Sequence, residues 1–259
     1  MQLIDSHCHI DVSEFDDDRA AVLQRCRHTG IAELVVPAVD MKRWPGLIAL
    51  CRTEAGLHPA LGLHPIYIEQ HGTSAIQWLE QQLAATPEAI AIGEIGLDFY
   101  VPELDRSRQQ TLFEAQLSIA RDANLPVILH IRKAYDQVLN TLRRIPVKGG
   151  IAHAFNGSVE QAQRFIALGF KLGFGGTMTY PGANKIHRLV RELPLDAMVL
   201  ESDAPDMVGA AHRGQRNSPE YLPEYLAALA ALRDEAMTDI AIQTTRNTRQ
   251  VLGLNQSEL

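Results

Sequence analysis

Short apolar runs alternate with amphipathic segments along the whole chain. The eight apolar runs, rich in β-branched residues, span 2–9, 33–39, 59–64, 89–97, 126–131, 150–155, 170–175 and 197–202. Nearly continuous hydrophobicity over about four to eight residues is typical of strands that are buried on both faces of a sheet. The pattern therefore predicts eight buried strands.

The segments between these runs have the apolar spacing of helices. Predicted helices open at 16–18 and end before Gly30, span 44–53, 74–84, 104–122 and 133–144, open at Ser158, and span 185–192, 220–233 and 238–252. Ser158 and Gln161 have the spacing of a capping box. The first helix has acids at its start, Arg25 and Arg27 near its end and a glycine beyond it, which suits the helix dipole.

Strands that alternate with helices predict a parallel sheet in an α/β fold. We expect the sheet to close into a single TIM-type (β/α)8 barrel, regular or distorted, that forms one domain over 1–259. An open doubly wound sheet is the competing topology. It is disfavoured because the turn after the first strand lacks a glycine-rich phosphate-binding fingerprint.

Composition and charge narrow the function classes. The chain is 46% hydrophobic and 21% charged, and no apolar run reaches the roughly 18 residues of a membrane span. Acids precede any Lys or Arg at the N-terminus, the reverse of a secretory signal, so we expect a cytoplasmic location. Three cysteines without a C-x-x-C pair predict neither a disulfide framework nor a thiolate zinc site. A net charge of −7 disfavours broad binding to nucleic acid but allows a local site for one anion.

Polar residues recur at the carboxyl ends of the predicted strands, which is where barrel enzymes have their active sites. They are His7, His9, His64, Glu94, His130, His153 and Asp203. In an extended strand, His7 and His9 would share one face while Cys8 points to the other, where it would pack. One histidine at a strand end is more often structural than a ligand. Imidazoles and carboxylates at the same end of several strands instead predict a divalent-metal hydrolase site.

The motifs that contain these residues resemble those of a known family. They are D-S-H-C-H from Asp5, G-E-I-G-L-D-F-Y from Gly93, P-V-I-L-H from Pro126, H-A-F-N-G from His153 and E-S-D-A-P from Glu201. The series resembles the TatD family of metal-dependent hydrolases, in the amidohydrolase superfamily, over almost the whole chain. The resemblance implies a TIM-type barrel, two divalent metal ions and phosphodiester hydrolysis, often as a deoxyribonuclease.

The resemblance also implies which residues hold the metal. His7, His9 and Asp203 would hold one ion, His130 and His153 would hold the other, and Glu94 would bridge them. The family usually has Cys and Ser where this chain has Ala154 and Asn156, and Ser where it has Ile131. None of these differences replaces a ligand, so they bear on the substrate rather than on the metals.

The charge of such a site suits phosphate chemistry. Two divalent ions carry +4 and the carboxylates Glu94 and Asp203 return −2, which leaves a site of about +2 that would stabilise a phosphoryl transition state. Asp203 and Glu94 are the predicted catalytic residues, with Asp203 accepting a proton from the attacking water or orienting it. Glu94 at the bridging position, rather than a lysine, disfavours the superfamily branch that cleaves amides and lactones. The ligand types suit Zn, Mn, Ni, Co or Mg.

Other residues are candidates for contact with the substrate. His64 would contact substrate or be structural, and Arg132 would point outward or bind phosphate. Arg213 and Arg216 lie in a predicted loop after the eighth strand that would clamp phosphate. Asp98 would support a metal ligand or cap a helix. The remaining histidines, predicted to be solvent-facing or structural, are His28, His58, His71, His187 and His212.

The leading functional hypothesis is a two-metal deoxyribonuclease that acts on accessible DNA ends or single strands. The alternative is a small-molecule hydrolase of the same superfamily with a phosphoester or amide substrate. A metal-binding protein without turnover is disfavoured, because a structural site would be closed by four ligands. The expected partners are DNA or a small phosphoester, with no membrane and no obligate protein partner, and the oligomeric state is left open.

Overall fold

Eight parallel strands, paired in sequence order, form the centre of the molecule in a computed structural model that describes residues 2–254. The strands are β1 (Leu3–Asp5), β2 (Ile31–Pro37), β3 (Leu57–Leu61), β4 (Ala91–Asp98), β5 (Val127–Arg132), β6 (Gly150–Ala152), β7 (Phe170–Phe174) and β8 (Met198–Leu200). This architecture confirms the predicted TIM-type barrel. No helix of the described chain is long and apolar enough to cross a membrane.

Helices connect the strands and cover the sheet. They are α1 (Arg19–His28), α2 (Trp44–Thr53), α3 (Ala75–Ala84), α4 (Arg106–Asp122), α5 (Tyr135–Arg144), α6 (Val159–Ala167), α7 (Asn184–Glu192), α8 (Leu222–Arg233) and α9 (Met237–Leu252). The capping box at the start of α6 is confirmed, because the Ser158 side chain accepts from the Gln161 backbone and the Gln161 side chain accepts from the Ser158 backbone.

The first and last strands are joined beyond their ends. The backbone N–H of Ser6 donates to the Leu200 carbonyl at 3.0 Å, and the N–H of Asp203 donates to the His7 carbonyl at 2.9 Å. These bonds bring the residues that follow β1 next to the residues that follow β8. Closure of the barrel therefore places two of the polar motifs side by side.

The inside of the barrel is apolar at one end and polar at the other. Seven strands each contribute one residue to a separate buried apolar cluster, which consists of Ile4, Val35, Ala60, Ala91, Ile128, Ile151 and Val199, with Leu252 of α9 packed on it. This arrangement matches the layered filling of a barrel interior. The larger apolar cluster lies between the sheet and the helices. The carboxyl end of the barrel is left to polar side chains.

Three strands are shorter than their apolar runs predict. β1, β6 and β8 contain three residues each, because the chain leaves the sheet before the polar residues of its motif. Ala154 and Asp203 have left-handed φ values of 44° and 56°, which a strand does not accommodate. These turns redirect the chain at the site described next.

Candidate metal centre

The six predicted metal ligands all lie at the carboxyl end of the barrel. Glu94 lies in β4 and His130 in β5, while the other four follow β1, β6 and β8 directly. A pocket of about 740 Å³ opens above them, and its lining includes His9, Glu94, His130, His153 and Asp203. His7 is completely buried beneath them.

The Glu94 carboxylate lies between two groups of imidazoles. Its Oε2 is 3.2 Å from Nε2 of His7 and 3.4 Å from Nε2 of His9. Its Oε1 is 2.8 Å from Nε2 of His153 and 3.1 Å from Nδ1 of His130. One carboxylate thus presents a separate oxygen to each group, as a ligand shared by two ions must.

Asp203 completes the first group. Its Oδ1 lies 3.4 Å from Nε2 of His7 and 3.8 Å from Nε2 of His9. The same oxygen is 4.0 Å from Nδ1 of His153, so Asp203 is close to both groups. Within 4.8 Å of one another, donor atoms gather as His7, His153 and Asp203, as His7, His9 and Glu94, and as His64, Glu94 and His130.

Neighbouring groups fix which nitrogen two of the imidazoles present. Nδ1 of His9 lies 3.0 Å from the Pro37 carbonyl, which can only accept, so Nε2 keeps its lone pair on the side of Glu94. Nε2 of His130 lies 3.0 Å from Asp98 Oδ2, which leaves the lone pair of Nδ1 toward Glu94. Asp98 therefore contacts the far side of a predicted ligand, as one of its two predicted roles requires.

His64 lies in the same cluster with the opposite orientation. Its Nε2 is 3.1 Å from Glu94 Oε1, and its Nδ1 accepts from the backbone N–H of Ile66 at 3.1 Å. Burial lowers the pKa of His64 to about 4, so the ring is neutral and its only proton is on Nε2. His64 thus presents a hydrogen-bond donor to the site rather than a lone pair.

The carboxylates of the cluster favour the protonated, positively charged form of two imidazoles. Burial lowers the pKa of His9 and His153, but the carboxylates of Glu94 and Asp203 outweigh it and raise those pKa values to about 9 and about 10. Burial alone would raise the pKa of Glu94, yet the surrounding imidazoles hold it well below its usual value. Positive charge between these carboxylates is what a divalent cation supplies when it displaces such protons.

The positions of the buried imidazole nitrogens also suit a metal ion. Nε2 of His7 faces Nε2 of His9 at 3.2 Å, a separation that requires a proton or a metal cation between the two nitrogens. Nδ1 of His7 and Nδ1 of His153 are buried and have no hydrogen-bond partner within residues 2–254. The donor set, four imidazoles and two carboxylates, suits a borderline divalent ion.

Comparison with known proteins agrees with this geometry. The family model described as "TatD related DNase" matches residues 4–253. The chain belongs to the TatD family. It is also 40% identical to the uncharacterized metal-dependent hydrolase YjjV of Escherichia coli K12, over 95% of this chain and 96% of that protein. These matches confirm the TatD resemblance of the sequence motifs.

A solved structure and a second relative extend the comparison. The crystal structure of E. coli YjjV superposes with a TM-score of 0.94 at 39% identity, covering 98% of each chain. A protein of Erwinia amylovora named 3'-5' ssDNA/RNA exonuclease TatD is 29% identical over 97% of this chain and 100% of its own. The protein is therefore a metal-dependent hydrolase of the TatD family with the barrel of that family.

Two buried acids of the TatD motifs, for which no role was predicted, accept hydrogen bonds from the backbone next to the donor residues. Asp5 is fully buried, and its Oδ1 accepts from the backbone N–H groups of Ser202 and His7. Glu201 is also buried, and its Oε1 accepts from the backbone N–H of Ala154 at 2.6 Å. The motifs did contain an indication of this role, because an ionisable residue within an apolar run is buried and needs a hydrogen-bond or charge partner.

Gly173 makes room for Glu201. A Cβ at Gly173 would lie 2.0 Å from Glu201 Oε2, so only glycine leaves space for the carboxylate there. Burial raises the pKa of Glu201 to about 8. The Glu201 carboxyl thereby contacts the left-handed turn that directly follows His153.

Cys8 takes no part in the donor cluster. It is fully buried, and its Sγ lies 3.9 Å from the Ala204 carbonyl. Burial raises the pKa of this thiol well above its usual value, which keeps it protonated. The packing role that strand alternation predicts for Cys8 agrees with these contacts.

The predicted substrate contacts divide into two groups. His64 and Arg132 line the pocket. Arg213 is exposed and does not line it. Arg216 does not line it either, because its guanidinium forms a double hydrogen bond with Asp18, at 2.8 and 2.7 Å, and stacks 4.3 Å from the Phe15 ring. The structure thus brings two of the four to the metal centre.

The other histidines lie away from the pocket lining, in agreement with their predicted structural or solvent-facing roles. Their ring contacts are with Gln24 for His28, Glu33 for His58, the His64 carbonyl for His71, Met178 for His187, and Glu224 and Tyr221 for His212.

Several residues of the pocket rim were not predicted. Lys133, Lys185, Tyr67 and Tyr100 line the pocket, and the guanidinium of Arg132 lies 3.7 Å above the Tyr100 ring. These residues come from loops and a helix start, where no periodicity marks them. Of these residues, Lys133 could have been suspected from the sequence, because it directly follows Arg132 at the end of a predicted strand.

Proposed function

We propose that this TatD-family hydrolase is a two-metal phosphodiesterase that cleaves DNA at accessible ends or in single strands. The observation that carries the proposal is the position of Glu94, with one oxygen toward His7 and His9 and the other toward His130 and His153. A shared carboxylate between two sets of ligands is the arrangement used in two-metal hydrolysis of phosphate esters.

In this proposal the ligands divide as the family resemblance implies. His7, His9 and Asp203 would hold one ion, His130 and His153 would hold the other, and Glu94 would contribute to both. When bound, the ions supply Lewis-acid stabilisation of phosphoryl charge and lower the pKa of water.

Asp203 would act as a proton acceptor at the site, and His64 would act as a hydrogen-bond donor. The Oδ1 atom of Asp203 is next to both imidazole groups, so this carboxylate is positioned to accept a proton from the attacking water. Burial raises the pKa of Asp203 from its ordinary value, which makes it a stronger base. The single Nε2–H of His64 would hold Glu94 in place in the free enzyme and would turn to a phosphoryl oxygen once substrate is bound.

The shape and charge of the molecule support ends and single strands over the side of a duplex. The cluster lies at the bottom of a pocket whose rim includes the aromatic Tyr67 and Tyr100, on which unstacked bases can stack. The net charge of −7 provides no basic stripe along which a duplex could lie. The name of the Erwinia relative, a 3'-5' ssDNA/RNA exonuclease, supports the same substrate class.

Location is also a proposal. Cys8, Cys26 and Cys51 are free thiols in the structure, and thiols without disulfides suit a reducing compartment. We therefore propose that the protein acts in the cytoplasm.

The test is turnover of the Mg- or Mn-loaded enzyme on matched single-stranded, blunt duplex and closed circular DNA. We expect cleavage of single strands and ends, and a shallow salt dependence equivalent to about one to three phosphate contacts. Equal cleavage of closed circular duplex would contradict the preference for ends. Rapid hydrolysis of an amide or small ester, with no cleavage of DNA, would contradict the proposed function.

The variant Asp203→Asn tests the proposed role of this carboxylate as proton acceptor. Removal of the proton acceptor should lower kcat by about 10²–10⁴-fold, while His130, His153 and Glu94 still hold the second ion. Metal content and kcat would be measured on the same folded sample. A kcat close to that of the wild type at saturating metal would show that Asp203 has no such role.

A further inference from the structure

Two lysines occupy one side of the pocket rim. Lys133 follows β5, and Lys185 lies in the first turn of α7, which follows β7; both line the same pocket as Glu94 and Asp203. Nζ of Lys185 donates to the carbonyl of Asn156, which follows β6, so the two lysines lie in the sector of β5 and β6, across the pocket from the residues that follow β1. Those residues include Glu14, so the two lysines face an acidic residue across the opening of the pocket.

The lysines are held near each other without an acidic partner. Within residues 2–254, neither ammonium group has a carboxylate within 4.0 Å, whereas many arginines of this acidic chain do. Burial and the positive charge of Lys133 lower the pKa of Lys185. Two like charges in proximity raise the energy of the free protein, and an anion between them removes that cost.

Local structure positions both side chains. Nζ of Lys185 donates to the Asn156 carbonyl at 2.6 Å, and the N–H of Asn156 donates to the Tyr135 hydroxyl at 2.8 Å. An ammonium group has three donors, so two of them remain on Lys185. The backbone of Lys133 is left-handed, with a φ of 59°. This conformation is rare for residues other than glycine and is often found at functional sites. Arg132, stacked on Tyr100, extends the cationic side.

We propose that Lys133 and Lys185 form a binding site for a second phosphate group of the substrate, adjacent to the phosphate that is cleaved. This inference rests on the proposed phosphodiesterase function. It means that the enzyme favours substrates with two neighbouring phosphates over those in which the scissile phosphate is the only one. The second phosphate is a terminal monoester or the next diester of a strand, and both have the oxygens that ammonium groups bind.

The test compares four small substrates. They are a thymidine dinucleotide, the same dinucleotide with a 5′-phosphate, the same dinucleotide with a 3′-phosphate, and the trinucleotide. For the wild type, we expect kcat/KM to rise about tenfold or more when a second phosphate is present on the correct side. A rise with a terminal phosphate identifies a monoester site, and a rise only with the trinucleotide identifies the next diester.

The variants are judged by the ratio of kcat/KM between two-phosphate and one-phosphate substrates, in which any general loss of activity cancels. The double variant Lys133→Ala, Lys185→Ala should lose most of the preference, and Lys133→Arg, Lys185→Arg should retain it. Lys148→Ala is the control, because Lys148 is exposed and precedes β6 at the far end of the barrel. A preference that survives in the double alanine variant, or that the wild type does not have, would overturn the proposal.

Failure of the proposed function is distinguishable from failure of this inference. If the wild type hydrolyses none of the four substrates, the phosphodiesterase proposal is wrong, and the lysines are tested by calorimetric binding of thymidine 3′,5′-bisphosphate. Binding that weakens about tenfold or more in the double alanine variant, but not in Lys148→Ala, supports the phosphate site. Binding that is absent, or that does not depend on the lysines, overturns it.

Discussion

For His9 and His130, the nitrogen that the imidazole presents to Glu94 is determined by the contact of its other nitrogen. Asp98 accepts from Nε2 of His130 and also from the backbone N–H of Tyr100, so both of its oxygens are engaged. Asp98 would thereby act on a bound metal through His130 without touching it. Partners of this kind hold a ligand in one tautomer and one orientation.

Asp98→Asn should weaken metal binding while the fold is retained. The Asn side-chain carbonyl would keep the bond to Tyr100 N–H, and its NH₂ would face Nε2 of His130 and force the ring proton onto Nδ1. We expect about 10–100-fold weaker affinity for the metal, measured by competition with a chelating dye. Asp105→Asn is the matched control, because Asp105 caps α4 and Asn caps helices equally well. Affinity equal to that of the wild type in Asp98→Asn would contradict this role.

The six donor residues could be predicted from the sequence because their motifs resemble those of the TatD family and lie within or directly after apolar runs. Their orientation could not be predicted, because it depends on partners distant in the chain, such as the Pro37 carbonyl for His9 and Asp98 for His130. Arg216 shows the same limit. Its place in a loop indicated a free phosphate ligand, whereas its guanidinium is paired with Asp18, nearly 200 residues earlier.

At the scale of elements, β4 and β5 approach each other so closely that one position excludes any side chain. Gly96 of β4 has a φ of 146°, and a Cβ there would lie 1.9 Å from the His130 carbonyl oxygen. The pairing of these strands places Glu94 beside His130. The second glycine of the G-E-I-G motif is therefore required by the backbone, while the glutamate supplies the chemistry.

Gly96→Ala should be strongly destabilising. The clash is with backbone, so neither strand can relax without losing its ladder, and we expect a loss of about 3 kcal/mol or more in the free energy of unfolding. Gly46→Ala is the matched substitution in α2, where nothing lies within 4 Å, and it should add about 0.5–1 kcal/mol. Urea unfolding measures both. A Gly96→Ala protein with the midpoint of the wild type would refute the close approach of β4 and β5.

Most elements could be predicted from periodicity, and α2 has the predicted bounds. The ends of β1, β6 and β8 could not. An apolar run does not reveal where the chain leaves the sheet, and the site residues of these three motifs lie beyond the strand ends.

At the scale of the whole molecule, the end of the barrel opposite the pocket is stabilised by ion pairs as well as by apolar packing. Glu33 of β2 is paired with Arg249 of α9 and lies 2.6 Å from Nε2 of His58. Burial raises the pKa of Glu33, but His58 and Arg249 outweigh it and lower the pKa below its usual value. The group thus connects the last helix to two strands.

The sign of this shift makes a prediction about acid stability. A carboxyl whose pKa is lower in the folded state stabilises the protein fully above its unfolded pKa of about 4.3, and loses that effect as the pH falls through the folded value. The stability difference between wild type and Glu33→Gln should therefore be constant near neutral pH and shrink below about pH 4. Urea unfolding across pH measures it, with the exposed Glu80→Gln as control. A difference that grows on acidification would contradict the pairing.

The overall topology was predictable because eight strands alternate with helices in one order. The meeting of Lys133 and Lys185 at one pocket was not, because Lys133 follows β5 and Lys185 lies in the first turn of α7. Only closure of the barrel places them around one opening.

The most direct test of this account is a crystal structure of the metal-loaded protein with anomalous diffraction at the absorption edge of the metal. We expect two ions per chain, about 3.5–4 Å apart as in other two-metal hydrolytic sites, with one oxygen of Glu94 on each. His7, His9 and Asp203 should hold one ion, and His130 and His153 the other. A single ion at full loading, or a Glu94 side chain turned away from the metal, would contradict the account.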